Sequence, residues 1–160
     1  MPRLLNNLKA LCALGRLRRD ENGIAAVEFA LVLPVLLLLG IGMTEMGRVV
    51  NQATTVQKAL REGALYAARN QFPLTAAVKT TAENLVKKGD PTGAGAYLVP
   101  GWSEAGASLL LETPDFDLNG TPLPVVRLTA TVPFVPMLPG LLPIPGFNLV
   151  LKHEQAYIGD

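Results

Sequence analysis

The chain has 160 residues, with 14 lysines and arginines against 13 aspartates and glutamates, so its formal net charge is only +1. A balance this even gives no electrostatic reason to expect nucleic acid as a partner. Apolar residues make up 49% of the chain and the mean hydropathy is +0.32, with much of the excess in residues 24–43. Because Cys12 is the single cysteine, an exported domain would rely on packing rather than on an internal disulfide. The composition therefore indicates an anchored protein.

The first segment, residues 1–23, is a basic leader. Its cations outnumber Asp20 and Glu21; they are Arg3, Lys9, Arg16, Arg18 and Arg19. Because basic flanking segments stay on the cytoplasmic side, we expect a cytoplasmic N-terminus and export of everything after the apolar run. Leu4, Leu8 and Leu11 follow one another at helical spacing, which fits either a weak interfacial helix or a disordered tail.

The apolar run, residues 24–43, contains one charge and is about as long as a helix must be to cross a hydrocarbon core of roughly 30 Å. A secretory signal peptide would have a shorter apolar region and a small-residue cleavage site. The sequence "GMTEMGR" that follows offers no such site. We therefore predict a permanent single-pass transmembrane helix. Pro34 predicts a kink near its middle, either harmless or suited to packing in a bundle.

Glu28 is the one carboxylate within this run. It lies near the cytoplasmic end, so it could snorkel to the lipid headgroups. Alternatively, cleavage after Gly23 would create a free amine on Ile24. That amine, in the same or a neighbouring subunit, would neutralise the buried carboxylate. The two interpretations differ in whether Glu28 is an assembly contact.

The helical pattern continues beyond the membrane in a narrow seam of apolar and small residues. Its members, at alternating spacings of three and four, are Val49, Ala53, Val56, Leu60, Gly63 and Ala67. We predict one helix from about Ile24 to Asn70, ended by Phe72-Pro73. The seam packs into the domain's own core, against other subunits, or both. Gly63 indicates a close approach, because glycine costs about 1 kcal/mol relative to alanine inside a helix.

The rest of the exported part, within 44–160, predicts an α+β domain. A second helix is expected over residues 75–88 and strands over 107–113, 124–132 and 147–158, with a hairpin turn at Asn119-Gly120. The resulting sheet is small and antiparallel. Residues 133–146 hold five prolines and are unusually apolar for a loop. They fold back on the core, touch the membrane surface or meet a partner.

Catalysis has little support in the sequence. The single histidine, His153, lies in a predicted strand between Lys152 and Glu154. No cysteine and histidine cluster suits zinc, and Asp115 and Asp117 lack the glycine and glutamate that complete a calcium loop. We therefore expect no enzyme activity, no cofactor and no metal.

Three stretches carry a resemblance to a known family. "GIAAVEF" after a basic leader resembles the processing site of type IV prepilins, and "RRDENGIAAVEFALVLPVLLLLGIGMTEMGR" resembles the start of TadE-like proteins, pilin-like components of tight adherence pili. "ALREGALYAAR" is similar to a second TadE-like segment, and the final strand, proline-rich turn and strand follow the family's order.

The resemblance implies a pilin-like fold and a minor pilin or pseudopilin role in assembling a Flp-type pilus. It implies recognition by prepilin peptidase at Gly23 and Ile24, with Glu28 and Phe29 as assembly contacts. The implied partners are membrane lipid, other pilin-like subunits and the assembly machinery. A second interpretation is an uncleaved single-span protein whose exported domain scaffolds a pilus or secretion machine. The mature N-terminus distinguishes the two.

Overall fold

The computed structural model describes residues 21–138 and 146–158. The predictions for residues 1–20, and for positions 139–145 of the proline-rich segment, lie outside the described residues. The chain divides into two compact units, Met1–Met43 and Thr44–Asp160. The elements, in chain order, are α1 (Glu21–Ala68), α2 (Ala76–Lys88), a 3-10 helix (Pro100–Ser103), β1 (Ser108–Glu112), β2 (Asp115–Leu118), β3 (Thr121–Pro133) and β4 (Asn148–Ala156). The predicted α+β class, with a long first helix and a small antiparallel sheet, is confirmed.

The first helix, α1, is the long helix that the sequence predicts. It begins slightly earlier than expected and runs without interruption through Pro34. It ends at Ala68, two residues before the predicted end. There the N–H groups of Arg69 and Asn70 donate to the carbonyls of Tyr66 and Ala67, three residues earlier. Such bonds wind the last turn more tightly than the four-residue spacing of an α-helix.

The second helix, α2, has well-formed signals at both ends. The Thr75 hydroxyl accepts a hydrogen bond from the Val78 N–H at 3.4 Å, which supplies one of the donors left open at a helix start. Gly89 takes a left-handed conformation at φ +68°, and its N–H donates to the Leu85 carbonyl. The predicted helix over 75–88 is therefore confirmed within one residue.

The sheet is organised around β3, which pairs antiparallel with each of the other strands. β1 pairs along residues 127–131 and β4 along residues 125–133. β2 pairs with residues 121–124 through the predicted hairpin, where Asn119 and Gly120 have φ angles of +55° and +85°. The Gly120 N–H donates to the Asp117 carboxylate at 2.7 Å, which fixes the turn.

The core of the second unit lies between the helices and one face of the sheet. β3 buries every second residue from Val126 to Val132, and the 3-10 helix adds Trp102, which is 6% exposed. The main buried side chains of the core are Val56, Leu60, Ala64, Ala67, Ala82, Val86, Val99, Trp102, Val126, Leu128, Ala130 and Val132. Apolar and polar residues alternate in the sequence from Val126 to Val132, as expected for a strand with one buried face.

The second unit has two distinct ends, because α1 and β3 are tied together at both. At one end the Ile158 N–H donates to the Ala68 carbonyl, and the neighbouring Tyr157 N–H donates to Pro124. At the other end an Arg48 side-chain N–H donates to the Val135 carbonyl at 3.3 Å. We call these the distal end and the proximal end, since Arg48 is the one nearer the apolar segment in the chain.

Candidate membrane-anchoring and assembly site

The first half of α1 is apolar on every face. Its most hydrophobic 18-residue window has a mean hydropathy of 2.6, and none of that window is buried within the chain. Exposed side chains include Ile24, Phe29, Leu31, Leu36 and Leu39. By length and composition this helix is a candidate membrane span, because an all-round apolar helix requires an apolar surrounding that the chain itself does not supply.

Gly23 and Ile24 lie in the first turns of α1, and both are exposed. A Cβ atom added at Gly23 would meet nothing within 4 Å. Packing against the described residues therefore does not require glycine at position 23. Gly63 differs, because an added Cβ there would lie 2.5 Å from Val86 and 3.0 Å from the Ala82 carbonyl oxygen.

Glu28 and Phe29 are exposed one turn further along. Among residues 21–138 and 146–158, no side chain forms a hydrogen bond or ion pair with Glu28. The Ile24 backbone nitrogen lies four residues earlier, so the two positions share one helical face. The carboxylate thus lies on an exposed helical face between apolar neighbours.

The structure places the predicted seam residues at different depths. Val49 and Ala53 are half-buried, whereas Val56, Leu60, Gly63 and Ala67 are buried. The buried members face α2 and β3, as the close approach of Val86 and Leu128 to Gly63 shows. Toward Ala67 the seam is occupied by the domain's own core.

A buried ionic cluster lies at the proximal end, and the sequence had not predicted it. We call it the Glu45 clamp. Glu45 is only 4% exposed. Its carboxylate accepts hydrogen bonds from the Met137 backbone N–H at 2.7 Å and from the Arg48 guanidinium at 3.2 Å. The same guanidinium donates to the Val135 carbonyl. One carboxylate and one guanidinium therefore hold the start of the proline-rich segment against α1.

A signal for this cluster was present in the spacing. Glu45 and Gln52 extend the seam, since 45, 49, 52 and 56 follow at spacings of four, three and four. The predicted seam, which begins at Val49 and contains only apolar and small residues, includes neither of them. The structure buries them, and the Gln52 side-chain oxygen has no hydrogen-bond partner among the described residues. Spacing was thus the better guide than polarity.

The described residues also show what chemistry the site lacks. Among them, no group of three histidines, cysteines or carboxylates could hold a metal ion. A cleft of about 210 Å³ lies beside the clamp, and its one ionisable lining residue is Arg48. His153 is half-buried on β4, with its Nε2 atom unpaired. No nucleophile and base are brought together at either place.

The strongest electrostatic cluster on the sheet lies on its exposed face. Glu154 accepts from Lys152 at 2.6 Å and from Arg127 at 2.7 Å. These two bonds hold the pKa of Glu154 below its ordinary value. The Thr92 hydroxyl and backbone N–H similarly lower the pKa of Asp90 in the loop after α2. Both are local surface features that stabilise a strand pair and a turn.

These features define a class: a chain with one candidate membrane span that continues as the first helix of an α+β domain. Residues 23–65 match the family model described as TadE-like protein. The resemblance seen in the sequence is therefore confirmed over this segment, which starts at Gly23 and ends within the buried part of α1. No curated protein and no solved structure shows significant similarity to the chain.

Proposed function

We propose that this protein is a minor pilin-like subunit of a tight adherence, or Flp-type, pilus, processed after Gly23. In this proposal residues 1–23 are a cytoplasmic leader, 24–43 cross the inner membrane and 44–160 form the exported domain. Prepilin peptidase, other pilin-like subunits and the assembly machinery are its partners. The role is structural, and no cofactor takes part.

The TadE-like match across residues 23–65 is the observation that carries this proposal. TadE-like proteins are associated with pilus assembly, and the match begins at the proposed cleavage site. Two features of the chain support the finer role. Gly23 has no packing reason to be glycine, and Glu28 has no partner among the described residues. Both features are explained if prepilin peptidase recognises Gly23 and the new amine of Ile24 pairs with Glu28.

Processing is tested by coexpressing the full chain with its cognate prepilin peptidase. Cleavage after Gly23 should remove roughly 2.5 kDa, the mass of a leader of about 23 residues. N-terminal sequencing of the membrane-bound product should begin at Ile24. Gly23→Val should abolish the shift, because a bulky side chain would stand next to the bond to be cut.

Gly47→Val is the matched control. Gly47 is another exposed glycine of α1 at which an added Cβ meets nothing, so this variant should be processed as the wild type is. A wild-type chain that keeps Met1 in the presence of active peptidase would refute processing. That result would favour the uncleaved scaffold protein.

Assembly is tested by Glu28→Leu and Glu28→Gln. If Glu28 pairs with the Ile24 amine, both variants should insert and be cleaved, because neither change makes the helix less apolar. Both should then be lost from isolated pili, since neither can neutralise the amine. Glu104→Leu, at an exposed position of the second unit, serves as the control and should be recovered normally. Wild-type recovery of Glu28→Leu in pili would refute the pairing.

Topology is tested with reporters fused after Asp160. The basic residues of the leader predict that a reporter active only outside the cytoplasm will work there. Strong signal from a cytoplasm-only reporter at the same position would contradict export of the second unit.

A further inference from the structure

The proximal end of the second unit carries a short apolar segment, Phe134–Leu138, whose backbone is firmly held although its last two side chains are exposed. Phe134 donates its N–H to the Phe147 carbonyl at 2.9 Å, and the two rings stack with centroids 5.1 Å apart. The Glu45 clamp fixes Val135 and Met137 a few residues later. The Met137 side chain is nevertheless 67% exposed and the Leu138 side chain 45% exposed.

This combination is unusual for a surface loop. The carboxylate of Glu45 is almost fully withdrawn from water, and its burial is compensated by holding the backbone of this one segment. An apolar tip that is held in place, rather than packed inward, is suited to an apolar surrounding. The next question is which surrounding lies at this level.

The position of the clamp along α1 answers it. Glu45 comes two residues after Met43, so the chain itself keeps the clamp within about 7 Å of the end of the apolar run. The headgroup layer extends roughly 5 to 7 Å beyond the hydrocarbon core on each side of a bilayer. If the core contains residues up to Met43, this connection keeps the backbone that Glu45 holds close to the headgroups.

We propose that Phe134–Leu138 is a second membrane contact, which places Met137 and Leu138 among the lipid headgroups while the Glu45 clamp sets their depth. The occupant of this surface is the phospholipid bilayer itself. The proposal goes beyond the assembly role and requires only that the first half of α1 crosses the membrane. For residues 134–138 of the proline-rich segment, it favours one of the three interpretations from the sequence, contact with the membrane surface.

A hairpin at the distal end provides the comparison. Leu123 of β3 is 41% exposed, close to the value for Leu138, and pairs with the exposed Phe116 of β2. β3 runs from this hairpin to Pro133, a rise of about 3.3 Å per residue over roughly ten residues. The two exposed leucines are therefore about 30 Å or more apart along the strand direction. Only Leu138 belongs to the segment that the clamp holds, so the proposal expects lipid contact there.

The experiment uses the full chain, with Cys12→Ser, reconstituted in phospholipid vesicles without other proteins. Single cysteines are introduced as Leu138→Cys, Leu123→Cys and Leu33→Cys, and each is labelled with an environment-sensitive fluorophore. Leu33 lies in the middle of the apolar run and reports the span. Lipids carrying a nitroxide on the headgroup quench fluorophores close to the membrane surface.

The Leu138→Cys label should emit at shorter wavelength than the Leu123→Cys label. Headgroup nitroxide should quench it about twofold more strongly, as expected for a side chain inserted 5–10 Å into the interface. Equal emission and quenching at both positions would overturn the proposal and leave this surface for a protein partner. The Leu33→Cys label separates the failures. If it behaves as water-exposed, the span itself is wrong; if it is lipid-embedded, only the second contact is wrong.

The role of the clamp is tested in the same vesicles with Glu45→Ala. Loss of the clamp should reduce quenching of the Leu138→Cys label toward the Leu123→Cys value. Glu62→Ala, at an exposed glutamate of α1, should leave it unchanged. Fluorescence of Trp102, the chain's single tryptophan, reports whether each variant is folded. Unchanged quenching in a folded Glu45→Ala protein would overturn the clamp's role. If that variant unfolds, the comparison of Leu138 with Leu123 in the wild-type background still decides the proposal.

Discussion

The two halves of α1 differ in what their side chains contact, although they form one continuous helix. In the half up to Met43, apolar side chains are exposed, and a Cβ atom added at Gly23 would meet no atom of the described residues within 4 Å. In the half after Thr44, Leu60 is fully buried and Gly63 is there because Val86 and Leu128 leave no room for a side chain. The second half is explained by contacts within the chain. The first half is explained only by what surrounds the chain, whether lipid or other subunits.

The most direct test of this comparison is to truncate one leucine to alanine in each half. Leu60→Ala should lower the free energy of unfolding of the second unit by about 2–5 kcal/mol, because it leaves a cavity in a close-packed core. Leu36→Ala, at a 52% exposed position of the apolar half, should leave that free energy unchanged. Unfolding in detergent, followed by Trp102 fluorescence, measures both. Equal losses would contradict the division into separate units.

Two glycines of α1 should respond with opposite signs. Gly63→Ala should destabilise the second unit by about 1–2 kcal/mol, since overpacking against Val86 and the Ala82 carbonyl outweighs the better helix propensity of alanine. Gly47→Ala meets no atom within 4 Å and should stabilise by up to about 1 kcal/mol. Denaturant midpoints of the two variants give the test. A Gly63→Ala protein as stable as Gly47→Ala would mean that the close approach at Gly63 relaxes at little cost.

Gln52 tests the cost of burying a polar side chain within the seam, which we expect to be smaller than the effects at Leu60 and Gly63. Its side-chain oxygen is buried without a hydrogen-bond partner among the described residues. Gln52→Met, which keeps the length of the side chain, should therefore raise the free energy of unfolding by about 1 kcal/mol. Gln57→Met, at an exposed position of the same helix, should change little. A clear loss of stability in Gln52→Met alone would show that the amide makes a contribution that the hydrogen bonds do not reveal.

The smallest expected effect lies on the exposed face of the sheet. The pKa of Glu154 is lowered in the folded chain by hydrogen bonds from Lys152 and Arg127. Its contribution to stability is therefore present above the unfolded pKa and is lost as pH falls through the lowered folded pKa. Melting temperatures measured between about pH 5 and pH 2 should fall less for Glu154→Gln than for the wild type. Parallel curves would contradict this linkage.

Local signals in the sequence predicted much of the second unit. Thr75 and Gly89 set the bounds of α2, and Asn119-Gly120 gave the hairpin, because each acts through its own backbone geometry. The strand β2 was missed. Its Asp115 and Asp117, which the sequence does not support as a calcium loop, flank the exposed Phe116, and the Asp117 carboxylate fixes the turn that follows.

Proline explains two further differences. The predicted strand began at Pro124, but β3 starts at Thr121 and includes Pro122. β2 pairs with this stretch, so a proline there does not prevent the strand from forming. Within the candidate span, α1 includes Pro34, and the kink expected there stays a prediction. The Glu45 clamp was beyond local reasoning, because its partners Met137 and Val135 come from a loop about ninety residues away in the chain and no short-range pattern joins them.

The ties at the two ends of the second unit have a mechanical consequence. Arg48 holds Val135 at one end of the part of α1 that packs in the second unit, and Ala68 holds Ile158 at the other, roughly 30 Å further along the helix. Between the two ties, α1 and β3 contribute to one hydrophobic core, in which Leu128 lies close to Gly63. A pull along the helix axis within this unit therefore loads that packing in shear. Such a unit resists tension better than one that can be peeled open from a single end.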